Sequence, residues 1–148
     1  MILRPATQDD VPAIARVMRA AFRVSLPFLP EIHTEAEDLG FVATRMLPQK
    51  TVWVATVADT VVGFIAFDEA WINQLYLHPD HQGQGIGPVL LDKALESGTP
   101  KQLWAFQQNE RARRFYEARG FVATEFTDGA DNEEKTPDVR YVWSSQAL

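Results

Sequence analysis

Not one of the 148 residues is cysteine. Disulfides, thiolate-bound metals and a cysteine nucleophile are therefore excluded together. Long apolar runs are missing as well: nothing approaches the ~18 consecutive apolar residues that suggest a membrane span. The opening MILRPATQDD lacks the basic start and apolar core of a secretion signal. Positive charge is scarce, with 14 Lys and Arg against 20 Asp and Glu and a net charge of −6. That argues against nucleic acid as a partner, because phosphate binding is driven by clustered Lys and Arg. Histidine occurs three times. His78 and His81 form an H-x-x-H spacing, but Pro79 lies inside it and further ligands are wanting, so no metal is expected. Together these absences point to a cytoplasmic chain with no membrane association.

What remains is ordinary globular composition, 46% apolar and 23% charged, in a length that suits one domain over residues 1–148 with one good core. ILRPA reads as a short strand. Asp9 or Asp10 then caps a helix with Pro12 in its first turn and Ile14, Met18 and Phe22 on one face. After a proline-broken loop, Thr34 and Glu37 have capping-box spacing for a second helix that ends at Pro48. TVWVATV and TVVGFIAF are β-rich runs joined by a tight turn, and WINQLYL is a third strand. A glycine-rich loop leads to a helix closed by Gly98 and Pro100. QLWAFQQ is the next strand, and Asn109 caps the helix ERARRFYEAR. FVATEF and VRYVWSS flank an acidic loop from Asp128 to Asp138. The order β-α-α-β-β-β-α-β-α-β-β predicts an α/β fold: a mixed, partly antiparallel central sheet with helices on both faces. Its parallel part would come from the strand-helix-strand crossover over residues 71–107.

The glycine loop, HPDHQGQGIGP over residues 78–88, carries the chemistry. Glycine costs backbone entropy, so three at alternate positions before a helix need a reason. A tight structural turn is one. An anion site is another, because free N–H groups and the positive end of the helix dipole converge there. The ATPase P-loop needs Gly-Lys-Ser/Thr at the helix start, where this chain has Gly87-Pro88-Val89. The dinucleotide fingerprint G-x-G-x-x-G also fails, since the run is G-x-G-x-G. Gln/Arg-x-x-Gly-x-Gly/Ala is matched in full by Gln82-Gly83-Gln84-Gly85-Ile86-Gly87.

That motif resembles the GCN5-related N-acetyltransferases, which bind the pyrophosphate of acetyl-coenzyme A on such a loop. Leu75-Tyr76-Leu77-His78-Pro79 upstream is similar to the family's fourth strand and its exit. Asn109, Ala112, Phe115-Tyr116-Glu117 and Gly120-Phe121 are similar to its second signature, and the element order agrees over essentially the whole chain. The resemblance implies acetyl-CoA as cosubstrate and a primary amine as acceptor, with a small amine or amino acid ahead of a protein N-terminus or lysine. A non-catalytic acyl-CoA sensor is the rival reading.

By the same resemblance, Gln82, Gly83, Gln84, Gly85, Ile86 and Gly87 would cradle the pyrophosphate, while Pro88 withholds an N–H. Leu75, Tyr76 and Leu77 would pair with the pantetheine arm, the Leu77 N–H polarising the thioester carbonyl. Asn109 would bond that arm as well as cap its helix. Arg113 and Arg114 would reach phosphates, and Tyr116 would protonate the departing thiolate. Trp71 and Asn73 are expected in the acceptor pocket, with Phe28, Glu31 and His33 at its mouth. Glu69 is the candidate base, and the acidic loop could attract a cationic acceptor. Exposed strand edges and the resemblance are both compatible with a homodimer.

Overall fold

The computed structural model describes residues 1–145. Strand β1 (Ile2–Pro5) leads through a 3-10 turn at Gln8–Asp10 into α1 (Val11–Ser25). The turn is fixed by one carboxylate. Asp10 accepts from the Thr7 amide at 2.8 Å and from both Arg4 guanidinium nitrogens at 2.8 and 2.9 Å. The Arg4 guanidinium holds the Asp10 carboxyl below the usual carboxylate range, so this clamp between β1 and α1 keeps its charge at neutral pH. Helix α2 (Glu35–Phe41) begins with the expected Thr34–Glu37 capping box. It continues as a π-helical turn at Val42–Met46 that buries Val42 and Met46, so helical structure stops just ahead of Pro48.

Next come β2 (Thr51–Val57), β3 (Thr60–Phe67) and β4 (Ile72–Leu77). Ala58 and Asp59, at φ 51° and 64°, make the β2–β3 turn, the two-residue left-handed kind whose twist matches a hairpin. Helix α3 (Ile86–Leu95), β5 (Lys101–Phe106), α4 (Glu110–Glu117), β6 (Val122–Phe126) and β7 (Asp138–Trp143) complete the order, and the mixed α+β class expected from the sequence is the one observed.

The sheet departs from expectation in one respect. Instead of one continuous mixed sheet there are two antiparallel ones, ordered β1-β2-β3-β4 and β5-β7-β6. The parallel contact between β4 and β5 is a single bridge at Trp71–Gln102, where the Gln102 amide reaches the Ala70 carbonyl at 2.9 Å. Beyond that bridge the strands separate. Two cores flank the first sheet. Ile14, Val17, Val42 and Met46 pack with Val54 and Phe64 on one face; Leu90, Leu91 and Ala94 of α3 pack with Ile65 and, across the split, Leu103 and Tyr141 on the other.

Register decides what the split exposes. The His78 amide donates to the Val62 carbonyl at 2.7 Å, and Tyr76 stands opposite Phe64 in the same ladder. Antiparallel alternation then turns the N–H and C=O of Tyr76 toward β3, and those of Leu75 and Leu77 toward the gap. The split thus leaves a row of backbone donors and acceptors without a strand partner.

Candidate active site

The glycine loop sits at the end of β4, beside that gap. His78 accepts the Asp80 amide on its Nδ1 at 3.2 Å and so starts the 3-10 turn Pro79–His81. Gly83 and Gly85 follow at φ 77° and 81°, and a Cβ added to either would meet no atom within 4 Å. Two left-handed residues in three aim successive amides outward, and the open space above them is where an anion would lie. Gly87 is closely lined, since a Cβ there would stand 3.5 Å from the Leu77 and Phe115 side chains, an ordinary van der Waals contact. The Ile86 and Gly87 amides lie at the N-terminus of α3.

A cavity of about 400 Å³ runs from this loop along β4. Its walls draw on both faces of the split: the glycine loop and α4 on one side, Ala21, Ser25 and Leu26 of the α1 end on the other. Leu75, Tyr76, Leu77, Gln82, Gly83, Gly85, Ile86, Gly87, Pro88, Asn109 and Tyr116, expected from the sequence, all line it. Ala112 and Phe115 of the second signature line it too, and so do Arg111, Arg119 and the three α1-end residues, which were not foreseen. The α4 group was legible in principle. Positions 111, 112, 115, 116 and 119 recur at helical spacing on one face.

Asn109 accepts the Ala112 amide at 3.2 Å on its side-chain oxygen, as an N-cap should. Two turns on, Tyr116 is wedged among Phe115, Phe121 and Tyr141 at ring distances of 5.2, 5.3 and 6.4 Å. Its hydroxyl has no protein partner among the described residues. Every fully buried side-chain N or O described does have one, so this hydroxyl opens onto the cavity. The Tyr76 hydroxyl is in the same position. Burial pushes Tyr76 up to about 12, and Tyr116 is raised as well, by burial and then by Tyr76. Both phenols therefore remain protonated across the neutral range. The cavity lining contains no Asp, Glu or His.

A glycine cradle, an unpaired strand edge and a buried phenol in one cleft suit a long phosphorylated ligand ending in a reactive acyl group. Comparison with known proteins settles the family. Residues 48–123 match the model of the acetyltransferase (GNAT) domain. The chain belongs to the GNAT acetyltransferase family. An uncharacterized N-acetyltransferase of Archaeoglobus fulgidus is 31% identical over 78% of this chain and 89% of its own. The peptidyl-lysine N-acetyltransferase YjaB of Escherichia coli is 36% identical over 64% of this chain and 63% of its own. The solution structure of apo YjaB superposes at a TM-score of 0.79, with 25% identity, over 97% of this chain and 98% of YjaB. The L-amino acid N-acyltransferase MnaT, also from Escherichia coli, is 26% identical over 84% of this chain and 81% of its own. The chain is accordingly a GNAT N-acetyltransferase, an acetyl-CoA-dependent acyltransferase.

Within this GNAT fold several expected residues stand apart from the cavity. Arg114 is 75% exposed and faces Glu110 at 3.7 Å, and Arg113 bonds the Tyr141 hydroxyl at 3.0 Å; both lie off the lining face of α4. Gln84 turns to His81 at 3.3 Å. Glu31 is held by Arg23 and Arg19, His33 by Glu133 at 2.7 Å, and Phe28 meets Phe106 edge-on at 6.4 Å. Trp71 makes the bridge to Gln102, and Asn73 is exposed near the same end of β4. Glu69 corrects the base assignment most clearly. It lies in the β3–β4 turn, at the opposite end of β4 from Leu77 and outside the cavity lining, with its carbonyl accepting from Lys101 at 2.7 Å.

Gly85→Glu tests the cradle. A side chain at this left-handed position should cost about 1–2 kcal/mol of stability and fill the space above the amides. Calorimetry should show coenzyme A binding reduced by at least an order of magnitude while thermal unfolding stays cooperative. Normal binding by the variant would remove the loop from the site.

Proposed function

We propose that this chain moves the acetyl group of acetyl-CoA to the ε-amine of lysine side chains in proteins or peptides, by direct attack of the amine on the thioester. The observation that carries the acceptor class is the α1 side of the cavity. Ala21, Ser25, Leu26 and Tyr76 line it, and no cation stands among them. Arg19 and Arg23 turn instead to the groove between α1 and α2, where Asp38 and Glu31 neutralise them. A free amino acid would need a positive partner for its carboxylate, since an unpaired buried charge is costly. A lysine brings an apolar stem and a terminal amine, which this wall suits. YjaB's name supports the lysine reading and MnaT's the amino-acid reading; the uncharged wall favours the first.

The chemistry follows from what faces the cavity. The Leu77 N–H, free of any strand partner, donates to the carbonyl oxygen as negative charge develops there. The amine nitrogen bonds to the acetyl carbon, the carbon–sulfur bond breaks, and the Tyr116 hydroxyl hands its proton to the departing sulfur; the proton shed by the new amide nitrogen leaves through water, from which the phenolate is reprotonated. A thiol ordinarily titrates near ~8.5 and a phenol near ~10. The same apolar surroundings raise both, so the transfer stays within reach. With no carboxylate or imidazole in the lining, the amine has to arrive unprotonated or lose its proton to water.

Tyr116→Phe should lower kcat by roughly 100-fold or more with coenzyme A affinity changed less than twofold. Stopped kinetics beside calorimetry separates the two, and an unchanged kcat would take Tyr116 out of the mechanism. An acceptor assay addresses the substrate. Blocked lysine peptides should exceed free amino acids in kcat/KM by about tenfold or more, with log kcat/KM climbing about one unit per pH unit from pH 6 to 9 as the amine deprotonates. Neither tyrosine loses its proton in that window. Preference for free amino acids would overturn the acceptor class; a plateau above an inflection at pH 6–7 would reveal a protein base.

A further inference from the structure

Many of the positive charges in this acidic chain are neutralised by carboxylates. On α4 itself, Arg113 faces Glu117 at 3.9 Å and Arg114 faces Glu110 at 3.7 Å. Elsewhere Arg4, Arg19, Arg23 and Arg140 hold Asp10, Asp38, Glu31 and Glu125. Arg111 and Arg119, like Arg16, Arg45, Lys101 and Lys135, make no ion pair with a carboxylate among the described residues, and of these six only Arg111 and Arg119 line the cavity.

Their placement brackets the glycine loop. Arg111 donates to the side-chain oxygen of Gln82, the first residue of the motif, at 2.5 Å. Arg119 lies over the Phe115 ring, 4.1 Å from its centre, and donates to the Phe115 carbonyl at 3.1 Å. That ring in turn packs against Gly87 at the far end of the loop. A neutral amide oxygen and an aromatic face are weak partners for guanidinium, which is best matched by phosphate or carboxylate.

Depth in the cavity orders the ligand. Tyr116 is buried and marks the thioester end; the glycine loop holds the pyrophosphate; Arg111 and Arg119 are exposed at the rim. In acetyl-CoA the group beyond the pyrophosphate is a ribose bearing a 3′-phosphate, a second dianionic centre. We infer that Arg111 and Arg119 form a rim site for this 3′-phosphate and so make the enzyme discriminate coenzyme A from its 3′-dephospho form. This rests on the coenzyme seat described above and extends it to residues that no part of the pyrophosphate cradle requires.

Binding of coenzyme A and of 3′-dephospho-coenzyme A, measured by calorimetry at low ionic strength, tests it. The unmodified chain should prefer coenzyme A by roughly tenfold or more. Arg111→Ala and Arg119→Ala should each weaken coenzyme A by roughly three- to tenfold and 3′-dephospho-coenzyme A by less than twofold, since exposed guanidinium–phosphate contacts are partly screened. Arg114→Ala, on the outer face of the same helix, should change neither. Equal affinity of the unmodified chain for the two nucleotides, or equal losses for both in the variants, would overturn the rim site and leave the coenzyme seat standing. Failure to bind either nucleotide would overturn the seat and the rim site with it.

Discussion

The parting of β4 from β5 is the constraint on which the rest of this structure depends. A strand in the middle of a fold normally has both backbone edges paired, because a buried N–H or C=O without a partner costs free energy. Here pairing ends at Trp71–Gln102, and the Leu75 and Leu77 peptide groups are left facing a cavity. Such an edge is suited to an amide-bearing arm. The glycine loop at the strand's end, α4 across the gap and the α1 end behind it are the walls this opening requires.

Electrostatics are divided along the same cavity. The rim has arginines and outward amides inside a chain of net charge −6, so an anionic ligand meets a local positive field on an otherwise repelling surface. The interior is apolar and holds two phenols that burial keeps protonated. The far wall is uncharged. Positive charge, buried phenols and an uncharged wall are thereby kept in separate stretches of one cavity.

Much of this was legible in the residues because it depends on local chemistry. Glycines at alternate positions before a helix, Asn109 as an N-cap and Tyr116 two turns further on each follow from short-range rules, and each reached the cavity. Long-range arrangement was less legible. Nothing in QLWAFQQ announces that it pairs with β7 along its length and with β4 only once. The two polar residues Asn73 and Gln74 hinted that β4 is poorly covered, without saying that the gap opens beyond them. Glu31, expected at the mouth of the acceptor pocket, is delivered by folding to Arg19 and Arg23 of α1. Arg113 and Arg114 were expected to reach phosphates, whereas Arg111 and Arg119 are the arginines that line the cavity.

The central claim is that the unpaired edge of β4, together with the loop that follows it, is the seat of the coenzyme. Titration of ¹⁵N-labelled protein with coenzyme A, followed by amide chemical shifts, tests this residue by residue. The largest shifts are expected at Leu75, Leu77, Gly83, Gly85, Ile86 and Gly87, with β1 and β6 nearly silent. Saturable binding that leaves the Leu75 and Leu77 amides unmoved would contradict it.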